Sequence, residues 1–305
     1  MSANIQWREI SAQITRATGE PFEISDRQSL SGGCINQVYL ISSRDRDRYL
    51  IKLNRAALIE MFVAEATGLS EIAATATIRV PVPICWGTVG EHSYLVMEYL
   101  DLVTNAAVGG ASPKENRSWR EMGRNLARLH QYRSERQQFG WQIDNTIGST
   151  PQINTWNSDW ATFFTNNRIG YQLQLARQRG GNFPQATALL AAIPRLLADY
   201  QPPPALVHGD LWSGNTSFTT TGTPVIFDPA THWGDREVDL ALTELFGGFP
   251  AAFYQGYDEI YPLDPGYSQR KNLYNLYHIL NHYNLFGGSY QAQANRTIGI
   301  LLRLA

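Results

Sequence analysis

Cysteine is nearly absent: only Cys34 and Cys85 occur in 305 residues. Two thiols cannot build a disulfide framework or a four-ligand zinc site. Long apolar runs are missing as well, none approaching the ~20 residues a membrane-spanning helix requires. The opening "MSANIQWREI" has no basic stretch followed by an apolar one, so no secretory signal is read there, and a cytoplasmic protein is expected. Charge is scarce and balanced. Charged residues make up 17%, and 25 basic against 27 acidic side chains leave a net charge of −2. That argues against a nucleic-acid or membrane partner. There is no G-x-x-x-x-G-K-[ST], which excludes a Walker-type phosphate loop, and neither internal repeats nor a low-complexity tail are found. What the chain does have is aromatic residues, at 11%, a composition suited to a folded protein with aromatic-rich clefts. The length allows a large core in one or two domains.

Residues 22–100 read as short strands with one helix among them. "NQVYLIS", "RYLIKLN" and "HSYLVMEYL" have strand length and β-branched or aromatic content. Between the second and third, "LIEMFVAEATGLSEIAA" has helical periodicity through Leu58, Met61, Phe62, Glu65, Leu69 and Ile72. Beyond about residue 101, "SWREMGRNLARLHQY", "WNSDWATFFTNNRIGYQLQLARQ" and "QATALLAAIPRLLADY" read as helices, the last interrupted or kinked at Pro194. A short β patch from "ALVHGD" to "PVIFDPA" follows the stiff Gln201–Pro204 lead-in, and helices resume to the end. The expected fold is α+β and bilobal. Residues 1–100 form a small β-rich lobe, and residues 101–305 a larger, mainly helical lobe with a β hairpin.

Several residues sit where bare structure does not need them. His208-Gly-Asp210 and Asn215 have the H-x-D-x-x-x-x-N spacing of kinase-like catalytic loops, with a carboxylate base and a metal-holding amide on one turn. Asp228 ends the apolar strand Val225–Phe227, where such enzymes place a second magnesium ligand, although Asp-Pro is also a common turn. Lys52 lies mid-strand among Leu50, Ile51 and Leu53, and Glu65 shares a helical stripe with Met61, Phe62 and Leu69. An ion pair between the two relieves both burials and orients the lysine onto ATP phosphates. Gly32 and Gly33 mark a turn whose amides suit phosphate contact, though the match to G-x-G-x-x-G is poor. "YLVMEYL" leads to an inter-lobe hinge, where the backbone of Glu98, Tyr99 and Leu100 would meet adenine. Cys34, beside the glycine turn, is a candidate redox switch, linking two chains or blocking ATP when oxidised.

With these features in order, the sequence resembles the ketosamine 3-kinases of the fructosamine kinase family, within the protein-kinase-like fold that also holds aminoglycoside and choline kinases. The resemblance rests on "GGCINQVYLI", "YLIKLN", "WNSDWATFFTNNRIGYQLQLA", "HGDLWSGN", "IFDPATHWGDREVDLALTELFGGFP" and "LNHYNLFGGSY". It implies an ATP-dependent, magnesium-requiring kinase for the 3-hydroxyl of ketoamines, small or protein-bound. The product is unstable and sheds the sugar, which amounts to deglycation repair. On this reading Asp210 is the base, Asn215 and Asp228 hold Mg²⁺, and Lys52, supported by Glu65, binds ATP. Trp212 and His282 are candidates for the sugar. The 156–177 helix, with Trp156, Trp160, Phe164 and Arg168, is a candidate wall of the substrate cleft, and Asp239 a brace for the His208–Asp210 loop. "DPA" in place of D-F-G implies no phosphorylated activation loop. His278 and His282 lack the glutamate of H-E-x-x-H, so a zinc pair is not read there. The rival readings are a kinase for another hydroxylated amine, such as an aminoglycoside, and a non-catalytic nucleotide-binding module. A monomer and a redox-linked homodimer both remain compatible with the sequence.

Overall fold

The structure, a computed structural model, describes residues 5–30, 35–103 and 112–305. Gly32, Gly33 and Cys34, the expected glycine turn and thiol switch, lie outside the described residues.

The first lobe is a five-stranded antiparallel sheet built from β1 (Asp26–Leu30), β2 (Gln37–Ser42), β3 (Arg48–Arg55), β4 (Pro83–Val89) and β5 (His92–Glu98), in the order β1-β2-β3-β5-β4. Strand alternation decides which face each side chain takes. Ile51 and Leu53 of β3 and Tyr94 and Val96 of β5 turn to one face. There they form a small core with Ile10 and Ile14 of α1 (Trp7–Thr18) and with Phe22. Leu50, Leu95 and Met97 turn to the other face and pack with Phe62, Leu69 and Ile72 of α2 (Ile59–Ala74). Lys52 belongs to this second face, directly opposite Leu95 in register. The alternation therefore aims its ammonium toward α2 and away from the small core.

The second lobe begins at α3 (Pro113–Leu129), which opens on a capping box. The Ser112 hydroxyl accepts from Glu115 N at 3.2 Å, and the Glu115 carboxylate accepts from Ser112 N at 3.0 Å. A hairpin of β6 (Asn145–Ile147) and β7 (Thr150–Gln152) follows. The aromatic helix expected over 156–177 is split: α4 (Trp160–Phe163), a π-helical turn (Phe164–Gly170) and α5 (Tyr171–Gln178). Then comes α6 (Ala186–Leu196), ending two residues past Pro194. The β patch resolves into two pairs. β8 (Ala205–Val207) pairs with β11 (His232–Gly234), and β9 (Thr216–Phe218) with β10 (Pro224–Ile226). Four helices complete the lobe: α7 (Glu237–Leu245), α8 (Ala251–Ile260), α9 (Tyr267–Phe286) and α10 (Tyr290–Leu304).

Backbone bonds stitch the β patch to the first lobe and to the segment that leaves it, with Ile226 N donating to Arg79 O at 3.0 Å and Val103 N to Phe218 O at 2.9 Å. The larger core runs through both lobes, because α2 packs into it from the first. The bilobal α+β expectation holds. No helix among the described residues is long and apolar enough to cross a membrane.

Candidate active site

The segment "HGDLWSGN" forms a tight loop between β8 and β9, and two glycines make its path possible. Gly209 has φ of +82°, and a Cβ there would lie 2.2 Å from Ala230 O. A Cβ on Gly214 would lie 2.3 Å from the Trp212 ring, so the indole can fold back over the loop only because that position is bare. Between them Asp210 and Asn215 are tied together. Asn215 Nδ2 donates to Asp210 O at 2.8 Å and to Asp210 Oδ2 at 3.1 Å.

His208 is buried and neutral, its pKa lowered by burial. Its Nδ1 accepts from Asp210 N at 3.2 Å, which leaves Nε2 to donate to Phe227 O at 3.0 Å. Phe227 N in turn donates to Asn215 O at 3.1 Å. The loop and the end of β10 are thus bolted together just before Asp228. Asp228 itself has φ of +57°, a left-handed backbone uncommon for a residue with a side chain. Asp239 of α7 is buried and accepts from His208 N at 2.7 Å and Gly209 N at 2.8 Å.

From the other side Lys52 reaches in. Its Nζ lies 2.5 Å from Glu65 Oε1 and 2.6 Å from Asp228 Oδ1. Burial alone would lower the pKa of this amine, but Asp228 and Glu65 together raise it, so it stays a cation. Lys52, Glu65, Asp210, Trp212, Asn215 and Asp228 all line one cavity of about 230 Å³ between the lobes. Asp210 is pushed up to about 7, by burial first and then by the charges of Asp228 and Asp239, against the Asn215 bond that lowers it. A carboxylate so placed can exchange a proton with a bound hydroxyl near neutral pH. Asn215 commits its amide nitrogen to Asp210, which leaves Oδ1, and Asp228 has a second carboxylate oxygen. Both are hard donors able to hold a divalent cation.

Other candidates stand apart. Glu98, Tyr99 and Leu100 do not line the cavity. The Glu98 carboxylate pairs with Arg79, and Tyr99 carries the Arg48 guanidinium 4.5 Å above its ring. His282 is not brought to the cavity either. Its Nδ1 bonds His278 O at 2.8 Å, and its ring packs against Phe246, Phe286 and Tyr290. The aromatic helix also does not wall the cleft. Trp160, Phe164 and Arg168 are buried in the second lobe, and Trp156 stacks under Arg136 elsewhere.

The wall that sequence reasoning missed is the β6–β7 hairpin, which brings Asn145, Thr146 and Gly148 to the cavity beside Asp210 and Trp212. "NTIGSTPQ" carries a readable glycine turn, but its place depends on long-range bonds. Asn145 Nδ2 donates to Thr231 O at 2.8 Å, and Gln152 Nε2 to Ala230 O at 3.1 Å. Asn145 Oδ1 accepts from Asn154, whose own Oδ1 takes a bond from Arg168 at 2.8 Å. Arg168 supports the wall from behind, with a pKa lowered to about 10 by burial.

Comparison with known proteins places this geometry. The fructosamine kinase family model matches residues 6–304. A probable ketoamine kinase of Synechocystis sp. is 57% identical over 298 residues, covering 98% of this chain and 97% of that protein. A chloroplastic protein-ribulosamine 3-kinase of Arabidopsis thaliana is 40% identical, over 94% of this chain and 85% of that one. An inferred fructosamine-3-kinase of Haemophilus somnus, solved by crystallography, superposes with a TM-score of 0.88 at 32% identity, covering 97% of each chain. A match along almost the whole length, with these loops on this fold, makes the chain a member of the fructosamine kinase family.

Proposed function

We propose that this protein transfers the γ-phosphoryl group of ATP to the 3-hydroxyl of a ketoamine, the rearranged adduct of a sugar with an amine. The observation that carries the reading is the convergence of Asp210, Trp212, Asn215, Asp228 and Lys52 on one cavity in a chain of this family. In it, Asp210 takes the proton of the attacking hydroxyl, and Asn215 holds its carboxylate in place through the 3.1 Å bond. Lys52, kept charged and oriented by Glu65, binds the ATP phosphates. Trp212 offers its indole face to the sugar.

Mg²⁺ fits the two oxygen donors Asn215 Oδ1 and Asp228, since magnesium is commonly held by one or two protein oxygens together with phosphates. When bound, it neutralises phosphate charge. Residues 1–100 then serve as the nucleotide lobe, and 101–305 as the lobe carrying the base and the acceptor. Release of the sugar from the phosphorylated product would make the role one of deglycation.

The test supplies ATP and Mg²⁺ with ketoamine-lysines derived from fructose, ribulose and erythrulose, and with one aminoglycoside as control. ADP release and the position of the new phosphate are followed. The reading expects ADP release with ketoamines and phosphate on the 3-hydroxyl. Turnover of the aminoglycoside alone, or a phosphate elsewhere on the sugar, overturns it.

A further inference from the structure

The β6–β7 hairpin walls the cavity beside Asp210 and Trp212, yet the reading above asks nothing of its polar groups. The Asn145 amide is already spent. Its Nδ2 donates to Thr231 O at 2.8 Å, and its Oδ1 accepts from Gln152 at 2.8 Å and Asn154 at 2.9 Å. Thr146 differs. Strand alternation sets it on the face of β6 opposite to the buried Asn145 and Ile147, half-buried and lining the cavity. Among the described residues its hydroxyl has no hydrogen-bond partner. The cavity's other polar side chains are assigned to phosphate, metal or proton, or stand on the first-lobe side. Asn36 is of the latter kind, its Oδ1 accepting from Asn54 Nδ2 at 2.7 Å.

A free hydroxyl discriminates between ligands only if the backbone that carries it cannot drift. This hairpin is fixed from behind on both strands. Asn281 of α9 donates from Nδ2 to Ile147 O at 3.3 Å, and Tyr277 of α9 donates its hydroxyl to Gln152 Oε1 at 2.8 Å. Gln152 is buried, and besides Asn145 its Nε2 reaches Ala230 O at 3.1 Å. Ala230 lies two residues past Asp228, so the same bonds hold the wall in register with the metal-binding turn. Every amide in this support is occupied, which leaves the Thr146 hydroxyl as the wall's uncommitted polar side-chain group. A hydroxyl donates one bond and accepts another and carries no charge. Neither Asn145 nor Gly148 adds a charge, so the wall suits the neutral hydroxyls of a sugar more than the ammonium groups of a polyamine.

We propose that Thr146 is a specificity-determining residue of the acceptor site. Its hydroxyl bonds a hydroxyl of the ketoamine's sugar other than the one that Asp210 deprotonates, while Trp212 covers the sugar's face. The inference rests on the ketoamine reading and adds to it the group that tells one sugar from another.

Thr146→Val keeps the shape and removes the hydroxyl, whereas Thr146→Ser keeps the hydroxyl. Binding is followed by isothermal titration of a fructose-derived ketoamine of lysine into protein loaded with a non-hydrolysable ATP analogue, so no turnover is needed. Thr146→Val is expected to weaken ketoamine binding about 10-fold, the scale of one lost hydrogen bond. Thr146→Ser should stay within about 2-fold of wild type, and affinity for the ATP analogue should be unchanged in both. The second arm uses ketoamines that each lack one sugar hydroxyl, leaving in place the one that is phosphorylated. One of them should bind the wild-type protein about 10-fold more weakly and lose nothing further in Thr146→Val, because partner and ligand group then vanish together. Equal binding by the Val and Ser variants, or a Val penalty that persists on every deoxygenated ketoamine, overturns the role of Thr146. Wild-type protein that binds no ketoamine at all overturns the ketoamine reading itself, so the two failures are told apart.

Discussion

The two lobes bury polar groups in opposite ways. Up to residue 100, Lys52 is the one buried charged side chain among the described residues, set into an otherwise apolar sheet face. The second lobe buries ten charged or histidine side chains among its described residues: His130, Arg168, His208, His232, Asp235, Arg236, Glu237, Asp239, Arg270 and His278. Nearly all are cross-bonded. Asp235, for example, accepts from Tyr274 at 2.5 Å and Tyr200 at 3.1 Å, and Glu237 pairs with Arg270 at 2.8 Å. The first lobe therefore places a single cation by strand alternation and apolar packing. The second holds a loop of irregular backbone, which strand alternation cannot fix, by satisfying its amides with buried side chains. Loss of function and loss of fold should separate in the first lobe and in the solvent-facing part of the site. They should merge in the buried network of the second.

The largest effect tests that separation at the site itself. Asp210→Asn keeps the shape and removes a charge that Asp228 and Asp239 disfavour. Turnover should fall by about 10²–10⁴, the range for a lost general base, while the thermal midpoint does not drop. Lys52→Met should act alike. ATP affinity falls about 10- to 100-fold, as for a lost charged hydrogen bond, and Glu65 takes up a proton instead of unfolding the lobe. Isothermal titration with ATP alongside thermal melts reads both. A folded Asp210→Asn protein with near-normal turnover removes Asp210 from the chemistry.

Acid should strike the second lobe selectively. Burial holds His232 and His278 down to about 3, with Arg168 and His282 respectively adding to the shift. A base whose folded pKa lies below its unfolded value of about 6.5 takes its proton in the unfolded chain first. The stabilisation is complete above that value and is lost as pH falls from about 6.5 toward 3. At pH 5 each histidine should have cost about 2 kcal/mol relative to pH 7, from 1.36 kcal/mol per unit. Urea titrations at pH 7, 6 and 5 measure it. An unchanged midpoint across that range would remove buried neutral histidine from the account, and His278→Gln should flatten the slope.

The sequence was most readable where local pattern decides position. Lys52 and Glu65 were legible because strand and helix periodicity put each on an apolar face where a lone charge is costly. Asp210, Asn215 and Asp228 were legible from spacing along one short β patch. The β6–β7 wall was not, because Asn145 reaches the cavity through bonds to Thr231, some 86 positions away. Nor was the fate of the 156–177 helix. Its aromatic spacing fits a cleft wall or a core equally well, and the π-helical turn at Phe164–Gly170, which turns Arg168 inward, has no local signature. His282 shows the same limit. Its place on α9 was readable, but the neighbours Phe246 and Tyr290 that surround it come from other elements.

The smallest effect tests the sheet's two faces. Ile51 is adjacent to Lys52 in sequence but faces the small core with Ile10, Ile14 and Val96. Ile51→Val deletes one methyl there and should cost about 0.5–1.5 kcal/mol. The Lys52 face, with Leu50 and Leu95, is untouched, so the Lys52–Glu65 pair keeps its geometry and KM for ATP should stay at the wild-type value. Denaturant melts and steady-state kinetics on the same preparation separate the two. If KM rises together with the loss of stability, the faces are mechanically coupled, and the first lobe places its lysine through both of its surfaces, not one.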